Sequence, residues 1–270
     1  MITIKTTQEI EIMRQGGKIL AMILGEVAKA VKPGITTKEL NELATELIFA
    51  YGAKPAFLGH NDFPAALCAS VNEVIVHSPP SSAKLKEGDI VGLDLGIQYP
   101  HKDCSGCFMV SNCGKPEKKA DGLYTDMAIT VPVGKISKQT QKLIAVTKRA
   151  LETGLEQVKP GNYIGDIGFA IHKYVEEENG FSVIRSLVGH GVGHAVHEPP
   201  NIPNFGNRGE GPEMKVGMTL AIEPMVAIGK HELVQSQDGH GYETKDKSIT
   251  AHFEHTVAVT EKGYEILTKD

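Results

Sequence analysis

The chain has 270 residues, 41% of them hydrophobic and 23% charged, with a formal net charge of −5. That length accommodates one large domain or two small ones around a sizeable core. The mild acidity excludes a nucleic-acid binder that relies on a basic surface, and no apolar run of about 18 residues is present to span a membrane. Four cysteines are too few for a disulfide scaffold, and residues 1–9 lack the apolar core of a signal peptide, so the expected compartment is the cytoplasm.

Residues 7–30 read as an amphipathic helix, because Ile10, Met13, Ile19, Leu20, Ile23, Leu24 and Val27 recur at helical spacing. Thr6 and Glu9 have the pattern of a capping box, and Val31-Lys32-Pro33-Gly34 is a stop. Thr36 and Glu39 open a second helix that ends near Gly52. An extended stretch is expected from Phe57 to Phe63, then strands over 66–71 and 74–77. Lys86-Glu87-Gly88-Asp89 is a turn, followed by a strand over Ile90–Leu95 with Asp94 near its end.

Much of this order returns in the second half. A helix over 138–157 runs into Val158-Lys159-Pro160-Gly161, and another follows from Ile164 to Glu178. Lys215-Val216-Gly217-Met218 then leads an apolar strand ending on Glu223. The two Val-Lys-Pro-Gly copies are offset by 127 residues (158 − 31) and the two turns by 129 (215 − 86). A near-constant offset over helix, stop, helix, turn and strand marks an internal duplication. Asp94 and Glu223 fall at equivalent points, and a pseudo-two-fold would bring them together. Converging carboxylates repel unless a cation sits between them.

Between the second-half helices and the Lys215–Met218 turn lies Gly189-His190-Gly191-Val192-Gly193-His194-Ala195-Val196-His197. Glycine at every second position from 189 makes a poor helix and lets the backbone lie close to a ligand or metal. Neutral imidazole is a common metal ligand, and another nearby handles a proton or an oxyanion. A helical zinc-protease motif is excluded by these glycines and by the missing Glu after His190. Acidic and imidazole residues embedded in apolar strands are few: Asp94, Asp126, His190, Glu223 and Glu254. Each alone reads as the wet face of a half-exposed strand. Together they form an oxygen-rich set able to hold two divalent ions, of manganese, iron, cobalt or zinc.

The residues Leu67–His77, Gly88–Asp94, Gly189–Gly193, His197–Pro200, Ile222–Met225 and Phe253–Thr256 resemble the type I methionine aminopeptidases of the pita-bread fold. The resemblance covers nearly the whole chain. It implies an α+β architecture in which duplicated helix-helix-strand halves, about 1–130 and 131–270, surround a curved antiparallel sheet as one catalytic domain. It implies that Asp94 chelates one metal, Asp126 and Glu254 bridge both, and His190 and Glu223 complete the second site. Glu223 is then also the general base, while His77 and His197 position the substrate and steady the tetrahedral intermediate. Phe57, Phe63 and Cys68 are the expected walls of the methionine pocket. The implied reaction is hydrolytic removal of an initiator methionine from nascent chains whose second residue is small. A monomer with transient ribosome contact is the expected working form.

The chain departs from that pattern in one place. Asp94 and Asp126 are 32 residues apart (126 − 94), where the family keeps them far closer. Asp103 is the alternative second ligand, but no apolar strand surrounds it, so an insertion at about 100–120 in the hairpin is the simpler account. Such a loop costs little, since closure entropy grows only logarithmically. It holds His101, Cys104, Cys107 and Cys113, and the Cys104–Cys107 spacing fits half a zinc site. The reading here is free thiols on an extended hairpin, with Lys115–Lys119 a solvated tip or the ribosome contact. Bound zinc should therefore be unchanged in a Cys104→Ser/Cys107→Ser variant; loss of a zinc equivalent would establish a knuckle instead. His194 and His252 are expected around or outside the metal ligands, and His240 where the family has an aromatic side chain. The competing functional readings are an Xaa-Pro aminopeptidase or dipeptidase of the same fold, and a non-catalytic pita-bread binding protein. The first usually carries a further N-terminal domain; the second tends to lose metal ligands.

Overall fold

The computed structural model describes residues 1–101 and 122–269. The insertion expected at about 100–120, with Asp103, Cys104, Cys107, Cys113 and Lys115–Lys119, falls outside the described residues from 102 on.

The first half opens with α1 (Thr7–Ala30) and α2 (Thr37–Ala50). Both begin on capping boxes: the Glu9 and Glu39 amides donate to the Thr6 and Thr36 hydroxyls, and each carboxylate takes the threonine amide in return. Leu20, Ile23, Leu24 and Val27 of α1, with Leu40, Ala44 and Ile48 of α2, form one core with the strands that follow. Burying each such Leu, Ile or Val contributes roughly 1.5–3 kcal/mol. Those strands are β1 (Lys54–Pro55), β2 (Leu67–Val71), β3 (Val74–Val76), β4 (Ile90–Tyr99) and β5 (Leu123–Pro132). The expected extended stretch before β2 is instead a tight 3₁₀ turn at His60–Asp62, with Asn61 and Asp62 left-handed at φ 48° and 61°. Short polar side chains tolerate that region, and two in succession turn the chain. The strand expected over Ile90–Leu95 continues to Tyr99, so Asp94 lies in the middle of β4 and not near its end.

The second half repeats the plan with α3 (Lys138–Leu155) and α4 (Ile164–His172), which continues through a π-helical stretch to Glu178. The chain then forms β6 (Ser182–Val183), β7 (Gly189–Gly191), β8 (Glu198–Ile202), β9 (Thr219–Ile222) and β10 (Met225–Ala227). It closes with β11 (Leu233–Gln235), β12 (Tyr242–Thr244), β13 (Thr250–His252), β14 (Glu254–Thr260) and β15 (Gly263–Ile266). Leu143, Leu151, Ile164, Ile167 and Ile171 from the helices pack on Leu220, Ile222, Val257 and Val259.

The main sheet runs β1-β4-β5-β14-β9-β7-β8, curled and antiparallel, with β2 also on β4 and β15 also on β14. The halves meet where β5 pairs β14, Ala128 opposite Glu254 and Met127 opposite His255. The duplication is visible in backbone detail. Gly34 and Gly161 both have positive φ, 92° and 86°, and their amides donate to Leu85 and Met214 carbonyls. The bridges Thr36–Lys84 and Tyr163–Glu213 follow each, and the turn glycines Gly88 and Gly217 match at φ 95° and 89°. Asp126 and Glu254 are themselves equivalent, at an offset of 128 (254 − 126).

Candidate active site

Register gathers the acids. In β4, Asp94 is paired with Cys68 of β2 on one side and Ala128 of β5 on the other, and Ala128 is paired in turn with Glu254 of β14. Asp126 is two residues from Ala128. Side chains alternate along a strand, so Asp94, Asp126 and Glu254 share one face of three adjacent strands. Across β14, His255 pairs Ile222, and Glu223 is the next residue after β9. His190 in β7 pairs Ala221, two residues before Glu223, and so joins the same face. The hydroxyl of Thr256 clamps the Asp126 backbone, accepting from its amide and donating to its carbonyl, each at 2.9 Å. Asn204 donates to the Glu223 carbonyl at 3.0 Å.

The glycines around His190 serve strand packing. A Cβ at Gly189 would lie 2.5 Å from the Ala221 carbonyl oxygen, and one at Gly191 2.4 Å from that of Pro199. Their expected role beside a ligand is thus replaced by close approach of β8 and β9. His190 Nδ1 lies 2.9 Å from the Gly191 carbonyl oxygen. A carbonyl only accepts, so Nδ1 carries the proton and Nε2 keeps its lone pair, 3.5 Å from Glu223 Oε1.

All ten residues expected as metal ligands, substrate-facing histidines or pocket walls line one cavity of about 680 Å³. Asp94, Asp126, His190, Glu223 and Glu254 form its floor. Phe57, Phe63 and Cys68 form an apolar wall with Ala56, Ala65 and Val196. The Phe57 ring lies over Gly96, where a Cβ would come within 2.8 Å of it. His77 and His197 stand at the mouth, each with one side open to solvent and the rest of the ring packed into the cavity wall. Four further residues line the cavity: His60, Asn61, Val76 and His240. His60 Nε2 lies 3.3 Å from His197 Nδ1, and the His197 ring stands edge-on to His190 at 4.4 Å between centroids. His240 meets Phe63 edge-on at 5.7 Å. His252 is buried with Nε2 3.4 Å from Glu223 Oε2, whereas His194 is exposed and paired with Glu9 at 2.7 Å.

Among the described residues lining the cavity there is no lysine or arginine. Burial raises all four floor carboxyls in the metal-free protein; repulsion from neighbouring carboxylates adds to it at Asp94, Asp126 and Glu254, while His190 works the other way at Glu223. Asp126 and Glu223 are pushed up to about 7, and Asp94 and Glu254 well above the usual carboxylate range. Burial also holds His190 below its ordinary value, and brings His77 and His197 to about 4 and His252 to about 3, so these imidazoles are neutral at pH 7.

One oxygen of Asp94 and one of Glu254 are buried without a hydrogen-bond partner. Ligand atoms of Asp126, His190 and Glu254 lie within 4.8 Å of one another. Orphaned buried oxygens, a lone-pair-bearing imidazole and no basic side chain constitute a site that fits hard or borderline divalent cations.

The pattern of metallopeptidase family M24 matches residues 11–120 and 118–261. Methionine aminopeptidase 1 of Bacillus subtilis (strain 168) is 44% identical over 269 residues, covering 100% of each chain. The crystal structure of methionine aminopeptidase from Rickettsia prowazekii superposes with a TM-score of 0.89 at 38% identity, again over 100% of both chains. The prolidase from Pyrococcus horikoshii OT3 has a TM-score of 0.73 at 21% identity, over 98% of this chain and 63% of its own, a likeness of fold alone.

Proposed function

The chain belongs to metallopeptidase family M24, and from that premise we propose how its cavity releases an N-terminal methionine. It is a hydrolase acting on peptide N-termini with divalent metal. The observation that carries the reading is the convergence of four carboxylates and His190 on one face, with an apolar wall beside them.

Asp94, Asp126, His190, Glu223 and Glu254 would hold the divalent metal, a donor set large enough for two ions. When bound, such ions polarise the scissile carbonyl and acidify water. The protein groups do the rest. The methionine side chain lies against Phe57, Phe63 and Cys68. Glu223 takes a proton from the attacking water as its oxygen bonds to the carbonyl carbon. The proton then passes to the leaving nitrogen as the C–N bond breaks, so water is consumed and methionine and the shortened peptide leave. His197 and His77, neutral at pH 7, donate hydrogen bonds to the developing oxyanion and the bound amino-terminal residue. The mouth next to these imidazoles favours a small second residue.

The two half-repeats work as one catalytic domain, in the cytoplasm and as a monomer on this reading. No helix among the described residues is long and apolar enough to cross a membrane. Any ribosome contact through Lys115–Lys119 concerns residues outside those described.

The test compares a Met-Gly peptide with an Xaa-Pro peptide on the metal-loaded chain. The expected kcat/KM favours Met-Gly by about two orders of magnitude, the scale on which a shaped pocket discriminates. Preference for the Xaa-Pro substrate would replace the aminopeptidase reading by a prolidase-like one. Binding of both without turnover of either would make the chain a binding protein.

A further inference from the structure

The loop that carries His197 is held from beneath by residues near the start of the chain. Lys5 is only 4% exposed, and its Nζ lies 2.5 Å from Glu198 Oε2. Thr3 Oγ1 donates to the same oxygen at 2.5 Å and accepts from Lys5. The other oxygen, Oε1, takes the backbone amides of His194 and Ala195, the latter at 2.9 Å. Glu198 therefore joins two parts of the protein, with one oxygen on residues 3–5 and one on the 193–198 loop. Burial works against its charge, yet the bonds from Lys5, Thr3 and Ala195 hold the carboxyl below the usual range.

The path of residues 4–5 is cut by glycines. A Cβ at Gly193 would sit 2.4 Å from Lys5 Cε, and one at Gly217 2.7 Å from Ile4 Cγ2 and 2.9 Å from the Lys5 carbonyl oxygen. The Lys5 amide donates to the Gly217 carbonyl at 2.8 Å, so the segment is stitched into the turn before β9. Gly193 at φ 143° in turn accepts the Tyr124 amide from β5. A buried Lys–Glu pair adds little stability over apolar side chains of the same volume, because both charges are desolvated. What it does supply is a fixed direction for the backbone at Glu198, one residue from His197. On the far side, the His197 ring meets His60.

We propose that Lys5, assisted by Thr3, is a positioning residue for the aminopeptidase reaction: through Glu198 it locks the 193–198 loop so that the His197 imidazole meets the substrate carbonyl. The proposal rests on the role given to His197 above. It concerns a residue that touches neither substrate nor metal ligand and acts only through the loop.

A double-mutant cycle on the metal-loaded full chain separates the alternatives, read as kcat and KM for a Met-Gly peptide. Lys5→Met lowers kcat on the order of 10- to 100-fold, since an ångström of misplacement has that effect, while KM stays within about threefold. In a His197→Ala background the same substitution changes kcat by less than about threefold, because the group it positions is gone. An equal loss in both backgrounds, or an undiminished kcat, overturns the proposal. A fully active His197→Ala enzyme is a different result, which removes the role of His197 itself and the proposal with it. Thr3→Val leaves the ion pair in place and runs the same cycle with a smaller loss if Lys5→Met does not fold.

Discussion

Asp126→Asn lowers kcat/KM for a Met-Gly peptide by on the order of a thousandfold or more and leaves the chain folded. Asp126 stands on the shared face between Asp94 and Glu254, and its ligand atom falls within 4.8 Å of those of His190 and Glu254. An amide in that place removes one negative charge from the cation site. Lewis-acid stabilisation amounts to several kcal/mol, and about 4 kcal/mol is three decades of rate. The fold does not depend on the charge. Thr256 bonds the Asp126 backbone amide and carbonyl, which asparagine keeps. The Met127 amide donates to Asp126 Oδ1 at 3.0 Å, and an asparagine carbonyl accepts equally. Peptide turnover, metal stoichiometry and melting are measured together. A variant that binds metal normally and turns over at full rate shows that Asp126 is not a ligand.

The residues that define this site were open to a reading of the sequence for one physical reason. A carboxylate amid Leu, Ile and Val is costly to bury unless something pairs with it, so Asp94, Asp126, Glu223 and Glu254 stand out. The helices were legible because a capping box is local, three residues across, as Thr6–Glu9 and Thr36–Glu39 show. The duplication was legible through glycines that need positive φ, Gly34 and Gly161 among them. What escaped depends on contacts made at a distance. Nothing in Gly59-His60-Asn61-Asp62 signals that its turn delivers His60 to His197, 137 residues away. His252 could be placed only around or outside the metal ligands, because its contact with Glu223 depends on the pairing of β13 with β10, which sets it opposite Met225. The glycines beside His190 were read by composition as leaving space for a ligand. Their true neighbours, the Ala221 and Pro199 carbonyls, belong to strands whose register only the folded sheet reveals. Lys5 reaches Glu198 across 193 residues, beyond any local pattern.

Removing metal turns the same acids into a pH-dependent liability. Asp126 and Glu223 titrate at about 7 in the metal-free fold, and Asp94 and Glu254 higher than ordinary carboxyls, against unfolded values of 3.8 for Asp and 4.5 for Glu. A raised folded pKa gives stability that is complete below the unfolded value and is lost as pH climbs through the folded one. The histidines partly or wholly removed from water act in the opposite sense. His77, His197 and His255 at about 4 and His252 at about 3 sit below their unfolded value of 6.5, so their contribution is complete above 6.5 and lost on acidification. Between about pH 4.5 and 6.5 the two sets oppose each other. Above 6.5 the histidines no longer contribute a slope and the carboxyls act alone. Each carboxyl still protonated in the fold costs about 1.4 kcal/mol per pH unit there. The metal-free chain should therefore lose on the order of 10 °C in Tm between pH 6.5 and 8. Cations bind the ionised carboxylates, so with saturating divalent metal the fall disappears, and metal uptake near pH 7 releases protons into the buffer. Scanning calorimetry with and without metal, together with titration in buffers of different ionisation enthalpy, reads both effects. A metal-free Tm that stays level or rises across that interval would mean the four carboxyls do not crowd one another, and the case for a shared cation site would go with it.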